Sequence, residues 1–348
     1  MDSVVKKQHY IWRKYLRPWT DNQESTEGSL YVWRKQTRGT QASTEYRKVT
    51  TIGFENYYYD MTNFSDKDKT TLQAFLAYMQ KDFPIRLEIR PEVFEKAVSQ
   101  KDFMEKEVMC LHEDIENEGK FLKHLINKDY SFYEDSSIQK FMFQLKKEIW
   151  RRIFYQCKSI PDNELIRRGT ETLKNFDGEN PKFDFNKFFY MQYFRTPKRR
   201  QELKNSFEEF KRVKNHKDLD TRFFINMLSL YVSARVSLTV TQRFHTAIWL
   251  FDNQTETPFI TGDSPIMNLF KVEEDSKTSI MYYPVSPKVA IMLATTSTEI
   301  RNTTCVLDNS QEELVKELNQ RLALYCLNEI YSDNKPYLES LRQVLSGV

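Results

Sequence analysis

Hydrophobic positions along the chain change their spacing twice, and each change marks a different kind of predicted element. Apolar residues spaced four apart predict a short helix over 8–19, which ends near Pro18 because proline lacks a backbone N–H. β-Branched and aromatic residues in 29–35 and 48–59 predict two strands. The polar stretch between them is typical of a long hairpin loop.

The middle of the chain has the three-to-four-residue spacing of amphipathic helices. Ser65 and Asp68 resemble a helix-capping pair, and Pro84 ends the helical pattern that follows them. The further helices predicted from this spacing cover 91–128, 137–157, 162–175, 186–214 and 219–244. The sequence therefore predicts a middle region made only of helices.

Strand patterns return after His245, and a last helix is predicted over 311–329. The predicted strands cover 246–251, 258–261, 280–285 and 288–295. An isolated hairpin is only marginally stable in water, so the N-terminal strands are expected to join the C-terminal ones in one sheet. The predicted fold class is α+β, with a mixed sheet formed by N- and C-terminal strands and a large all-helical middle region.

The chain has 348 residues, which is above the usual size of one domain. We predict one composite domain in three parts, although two closely packed domains remain the alternative. Residues 1–62 supply a helix and strands of the sheet, 63–245 form the helical region, and 246–348 supply the remaining strands and the closing helices.

Composition refines this picture in two ways. Aromatic residues make up 14% of the chain, so the core is expected to be rich in rings that remove large apolar areas from water. The net charge of +3 is too small to indicate a partner by itself, but it is unevenly distributed. Residues 1–48 and 195–217 are basic and 101–119 are acidic, which predicts either separate charged sectors or ordinary solvated helix faces.

The positions of the cysteines argue against a zinc cluster and against disulfide cross-links. Cys110, Cys157, Cys305 and Cys326 lie far apart without a C-x-x-C pair, which disfavours a zinc cluster and a disulfide framework. We predict no metal site and leave the cofactor unspecified. No apolar stretch of about 18 residues occurs, so we expect a cytoplasmic protein without a membrane partner.

Polar residues stand at the ends of several predicted elements, although no nucleotide-binding, zinc-protease or serine-hydrolase motif is present. Gln192 and Arg195 lie three apart, so they share one face of a helix that Pro197 breaks. Thr261, Asp263 and Ser264 occur where a predicted strand turns. Gln8 and His9 begin the aromatic N-terminal segment.

Four segments in order, QHYIWRKYLRPW, MQYFRTPKRR, FITGDSPI and YYPVSPKVAIML, resemble the landmarks of the family called domain of unknown function 4238. The resemblance runs from Gln8 to about Tyr331. The family usually has Pro where this chain has Trp12 and often has Asn where it has Ser264. It implies no established activity, and it marks six positions for attention: Gln8, His9, Gln192, Arg195, Asp263 and Pro265.

Three of these side chains have both a catalytic and a structural interpretation. His9 can act as a general base near neutral pH, or it can be a histidine packed beside rings. Arg195 can clamp a phosphate with its planar donor group, or it can be a buried hydrogen-bond hub. Asp263 can be a catalytic or metal-binding carboxylate, or a turn residue that accepts hydrogen bonds from its own backbone amides.

The sequence leaves two functional hypotheses. The first is an RNase-like defence effector that cleaves nucleic acid, with His9, Arg195 and Asp263 as the catalytic residues. The substrate-binding residues of that site would be Gln8, Gln192, Thr261, Ser264, Lys198, Arg199 and Arg200. The alternative is a non-catalytic module or sensor subunit that binds nucleic acid, a nucleotide or a protein partner.

Overall fold

A computed structural model gives the fold of the chain. The residues it describes are 7–25, 27–35, 43–56, 58, 70, 74–75, 120–133, 181–214, 225–226, 229, 232–233, 236–237, 239–241, 244–269 and 279–346. The predicted helices over 137–157 and 162–175 lie outside them, as does nearly all of the helix predicted after Ser65.

The N-terminal segment begins as a strand, so the helix predicted from residue 8 starts too early. Strand β1 (Lys7–His9) pairs antiparallel with β4 (Phe54–Asn56), and helix α1 then covers Arg13–Leu16. A 3-10 turn over Arg17–Trp19 ends the segment, with Pro18 inside it. The spacing of four correctly predicts a helix in this segment, namely α1. The conformation of the first residues is instead determined by the pairing of β1 with β4.

Two larger sheets contain the remaining strands. A five-stranded sheet has the order β10-β5-β9-β8-β7, and only β10 runs parallel to its neighbour. Its strands are β5 (His245–Asn253), β7 (Met267–Asn268), β8 (Ser279–Pro284), β9 (Val289–Thr296) and β10 (Thr303–Leu307). Strands β5 and β9 are buried along most of their length, as expected for central strands with both faces covered.

The four-stranded sheet has the order β3-β2-β11-β6 and is antiparallel. Its strands are β2 (Ser29–Arg34), β3 (Ser43–Lys48), β6 (Thr261–Gly262) and β11 (Glu329–Ser332). Within the single strand predicted over 48–59, residues 48–56 instead form the end of β3, a 3-10 turn (Val49–Thr51) and β4.

The predicted fold class is therefore wrong in its architecture. The chain is mixed α/β, but the strands of its described residues form three separate sheets rather than one sheet that joins the two ends. The helix predicted over 311–329 is present as α5 (Glu312–Tyr325), and α6 (Lys335–Ser346) follows it. Local spacing identifies strands but does not specify which strands pair, because pairing depends on contacts between residues far apart in sequence.

The middle of the chain contains the helices α2 (Lys120–Ile126), α3 (Pro181–Phe194) and α4 (Pro197–Lys214). The helix predicted over 186–214 is thus two helices, divided at the predicted break before Pro197. Aromatic rings fill the core between α3 and the sheets, as the composition predicts. Phe185 and Phe189 are both fully buried there.

Candidate functional site

Arg195 lies just after α3 and is buried, with 2% of its surface exposed. Its Nε donates a hydrogen bond to the Tyr10 carbonyl at 2.8 Å, and its guanidinium lies 4.7 Å from the centre of the Trp12 ring. The Tyr58 hydroxyl donates to the Arg195 carbonyl at 2.7 Å. Arg195 therefore connects the end of α3 to the N-terminal segment, the geometry of the hydrogen-bond hub that the sequence allowed.

Asp263 directly follows β6 in the chain and is fully buried. Both of its carboxylate oxygens accept main-chain hydrogen bonds. Oδ1 accepts from the amide of Leu327 at 2.9 Å, and Oδ2 accepts from Asn328 at 2.6 Å and Glu329 at 3.2 Å. Burial raises the pKa of Asp263 to about 6, although the three amide hydrogen bonds oppose that shift. The carboxylate therefore fixes the turn that leads from α5 into β11, whereas the donors expected from the sequence were the amides of its own turn.

Two of the motifs singled out from the sequence meet at the start of α4. The Lys198 amide donates to Ser264 Oγ at 3.4 Å, which joins the FRTPKRR segment to the GDSP turn. Arg199 stacks 4.2 Å from the Tyr193 ring, and Arg200 stacks 3.7 Å from the Tyr58 ring. These two guanidinium groups therefore cover rings of the protein itself.

The remaining nominated residues lie around the same interior region. Thr261 Oγ1 lies 2.5 Å from the Tyr15 hydroxyl, and the His9 ring packs 5.5 Å from the Phe54 ring. Gln8 is buried on β1. Gln192 is fully buried on α3, and its amide has no hydrogen-bond partner within the described part of the chain.

Tyr10 lies between the three residues nominated as catalytic. His9 precedes it, Arg195 bonds to its carbonyl, and the pKa of its hydroxyl is raised by burial and then by the charge of Asp263. The guanidinium and the carboxylate are, however, both buried and bonded to the main chain. Catalysis by this set stays a prediction, and a solvent-accessible cleft lies elsewhere.

The cleft has a volume of about 980 Å³ and is formed by several segments of the chain. It lies between α1 with its 3-10 turn, helix α2, the β5–β6 and β8–β9 connections and the β11–α6 turn. Its charged lining residues are Lys14, Arg17, Glu24, Lys123, Lys128, Glu256, Lys288 and Asp333. Five cations thus face three carboxylates, which leaves an excess of two positive charges.

Two of the five cations already have partners. Lys128 Nζ forms an ion pair with Asp252 Oδ2 at 2.6 Å, and Lys288 Nζ donates to the Thr255 carbonyl at 2.9 Å. The side chains of Lys14, Arg17 and Lys123 make no ion pair or hydrogen bond with another described residue. Uncompensated positive charge in a concave site attracts anions more strongly than the same charge on an open surface.

Local structure explains how three of the five cations reach the cleft. Lys14 and Arg17 are three residues apart on a helical segment, so they point to the same side. Ser286 Oγ accepts from the amides of Lys288 at 3.3 Å and Val289 at 2.9 Å, which fixes the tight turn that presents Lys288. Ser286 therefore has a structural role in this turn.

Sequence reasoning missed this set of cations because its members come from three separate segments. The basic character of residues 1–48 was the one available signal, and it was interpreted as a charged sector. Nothing in the local sequence of Lys123 or Lys288 distinguishes them from solvated lysines.

The described residues contain no group of three or more His, Cys, Asp or Glu side chains arranged to hold a metal ion. Among the helices of the described chain, none is long and apolar enough to cross a membrane. Fold and site together define a mixed α/β protein with a basic cleft beside its sheets.

The chain belongs to the family described as protein of unknown function (DUF4238), which matches residues 7–336. The resemblance found in the sequence is thereby confirmed over nearly the whole chain. Comparison with curated proteins and with solved structures finds no match.

Proposed function

We propose that this protein is a binding module for a phosphorylated small molecule of nucleotide size, held in the basic cleft. The observation that carries the proposal is the group of three cationic side chains, Lys14, Arg17 and Lys123, that line the cleft without partners among the described residues. A phosphate group would supply the charge-assisted hydrogen bonds that these side chains lack.

The size of the cleft supports a small ligand. Pockets for cofactors and small molecules have volumes of roughly 300–1,000 Å³, and this cleft is at the upper end at about 980 Å³. A mononucleotide or dinucleotide fits that range.

The lining also has an apolar part. Leu122, Ile126 and Val289 contribute aliphatic side chains, and Pro258 and Pro287 contribute rings. Sites for small ligands commonly combine an apolar wall with a few polar groups that fix orientation. The apolar residues would contact a base or another ring while the cations hold the phosphate.

The binding module is favoured over the RNase-like effector because of burial. A general base and a phosphate clamp must contact the substrate, whereas Arg195 and Asp263 are 2% and 0% exposed and bonded to the main chain. The side chains of Lys14, Arg17 and Lys123 line the cleft without such bonds to other described residues.

The test is calorimetric titration of the full chain with ADP and, separately, with inorganic pyrophosphate. We expect the Lys14→Gln/Arg17→Gln variant to bind ADP at least about tenfold more weakly, since a hydrogen bond to a charged group contributes about 1.5–3 kcal/mol. Arg321→Gln is the matched control, because Arg321 pairs with Glu317 on the exposed face of α5, away from the cleft. Absence of binding by both probes, or equal affinity in all three proteins, would overturn the proposal.

A further inference from the structure

Lys128 has an unusual backbone conformation at the edge of the cleft. Its φ angle is 61°, and it is the one non-glycine residue with positive φ among those described. The left-handed conformation brings a Cβ atom close to the next carbonyl oxygen, so glycine is the usual residue there. Lysine at this position therefore costs folding free energy that glycine would not.

The conformation arises from the way α2 ends. The Lys128 amide donates to the Leu125 carbonyl at 2.9 Å, and the Asp129 amide donates to the His124 carbonyl at 2.9 Å. This is the hydrogen-bond pattern of a Schellman motif, in which the residue after the helix adopts the left-handed conformation. Any residue at position 128 must adopt this backbone conformation, so the backbone does not explain why the residue is lysine. The explanation must lie in the contacts of the lysine side chain.

The Lys128 side chain points from the helix end across to the five-stranded sheet. Its Nζ lies 2.6 Å from Asp252 Oδ2 on β5, with 47% of the lysine side chain exposed and 10% of the aspartate side chain exposed. Ion pairs with a partner this exposed contribute little to stability, because water and salt screen them. The ion pair alone is a weak reason to keep a lysine in a strained position.

Lys128 lines the cleft, whereas Asp252 does not. A lysine ammonium group stands on a flexible four-carbon stem, so Lys128 can leave the carboxylate and bond to an anion in the cleft. Asp252 has a further contact with Gln254 Nε2 at 3.3 Å, so it is not left without a donor when Lys128 turns away.

We propose that Lys128 is the switching cation of the cleft, which exchanges the Asp252 carboxylate for the phosphate of the ligand. This inference rests on the proposed function, since it assigns one residue of the same site. Asp252 then competes with the ligand for the ammonium group. The two members of the ion pair should consequently have opposite effects on binding, which a purely structural ion pair would not produce.

The experiment is titration of ADP into the wild type, Lys128→Gly, Lys128→Asn and Asp252→Asn, with unfolding temperature measured for each. Gly and Asn both tolerate the left-handed backbone, so both variants should fold. We expect them to bind ADP about tenfold more weakly without a lower unfolding temperature. Asp252→Asn should bind several-fold more tightly, because it removes the competing carboxylate.

The outcomes separate this inference from the proposed function. If the wild type binds neither ADP nor pyrophosphate, the proposed function itself fails. If the wild type binds and the Lys128 variants bind equally well, Lys128 is not a ligand contact and the inference is wrong. If Asp252→Asn weakens binding while retaining its fold, the pair acts as one structural unit and the exchange is also wrong. If Asp252→Asn does not fold, Lys128→Arg is the test variant. Its affinity for ADP must stay within a few-fold of the wild type, whereas Lys128→Asn must bind more weakly; equal loss in both variants would show that the inference is wrong.

Discussion

Asp263, one of the residues nominated as catalytic, shows how a buried carboxylate stabilises main-chain structure. Its two oxygens accept hydrogen bonds from three consecutive main-chain amides, those of residues 327–329. Main-chain donors buried away from water need acceptors, and the carboxylate supplies them at the point where α5 passes into β11. At the scale of the single residue, its hydrogen-bond partners determine what the carboxylate does.

We predict that Asp263→Asn lowers the free energy of unfolding by about 2–4 kcal/mol at neutral pH. An asparagine presents an NH₂ group to at least one amide donor that the carboxylate now accepts, so buried donors lose their acceptor. Urea unfolding of the two proteins measures the difference. Asp308→Asn is the matched control, because Asp308 is an exposed helix cap and asparagine caps as well as aspartate does.

The pH dependence of this difference has a definite sign. Burial raises the pKa of Asp263 to about 6 in the folded state, above its ordinary value of 3.8. A raised carboxyl pKa stabilises the fold most below the unfolded-state pKa, and this contribution is lost as pH rises through about 6. The difference between wild type and Asp263→Asn should therefore narrow from about pH 4 to about pH 6. A difference that widens over this range would contradict burial as the dominant cause.

Among the secondary-structure elements, β6 is held in place by the close approach of its neighbours rather than by its length. Strand β6 has two residues, yet it pairs with β11 and lies against the end of α5. A Cβ atom on Gly262 would lie 2.5 Å from Cys326 Sγ and 2.7 Å from the Glu329 carbonyl oxygen. Glycine is needed here because the two elements approach the backbone itself.

We predict that Gly262→Ala lowers the free energy of unfolding by about 1–3 kcal/mol, the usual cost of an inserted methyl group in a packed core. Thermal unfolding measures it. In the double variant Gly262→Ala/Cys326→Ala the sulfur contact is removed, so its cost should be smaller than the sum of the two single costs. Simple additivity would show that the contact with Cys326 does not limit the approach.

At the scale of the whole molecule, the cleft joins parts of the chain that are distant in sequence. The N-terminal 3-10 turn, helix α2 and the C-terminal turns contribute lining residues. A ligand that contacts all of them binds the folded state and not the unfolded chain, so it should stabilise the entire fold.

We predict that ADP raises the unfolding temperature of the wild type. At a free concentration of 100 times the dissociation constant, the gain in unfolding free energy is about 2.7 kcal/mol. Scanning calorimetry at low and high salt checks this, and high salt should reduce the gain because it screens exposed charges. Adenosine is the control, since it lacks phosphate. An equal rise with adenosine would show that the cations do not recognise the ligand.

Local sequence patterns predict the type of many helices and strands and the positions where helices end. Short apolar runs bounded by turns identified β5 and β9, and Pro197 identified the division between α3 and α4. The family could also be recognised, because its four short motifs keep their order. Such features depend on neighbours within a few residues, where spacing and proline chemistry act directly.

The pairing of the strands, the burial of the nominated residues and the position of the cleft depend on tertiary contacts. The Tyr15 hydroxyl donates to the carbonyl of Pro284, 269 positions along the chain, and Asp263 bonds to residues more than sixty positions away. Contacts of this kind leave no local pattern, because the residues involved are brought together only when the chain folds. The cations of the cleft are likewise ordinary surface residues in the sequence, and their common environment is a property of the fold.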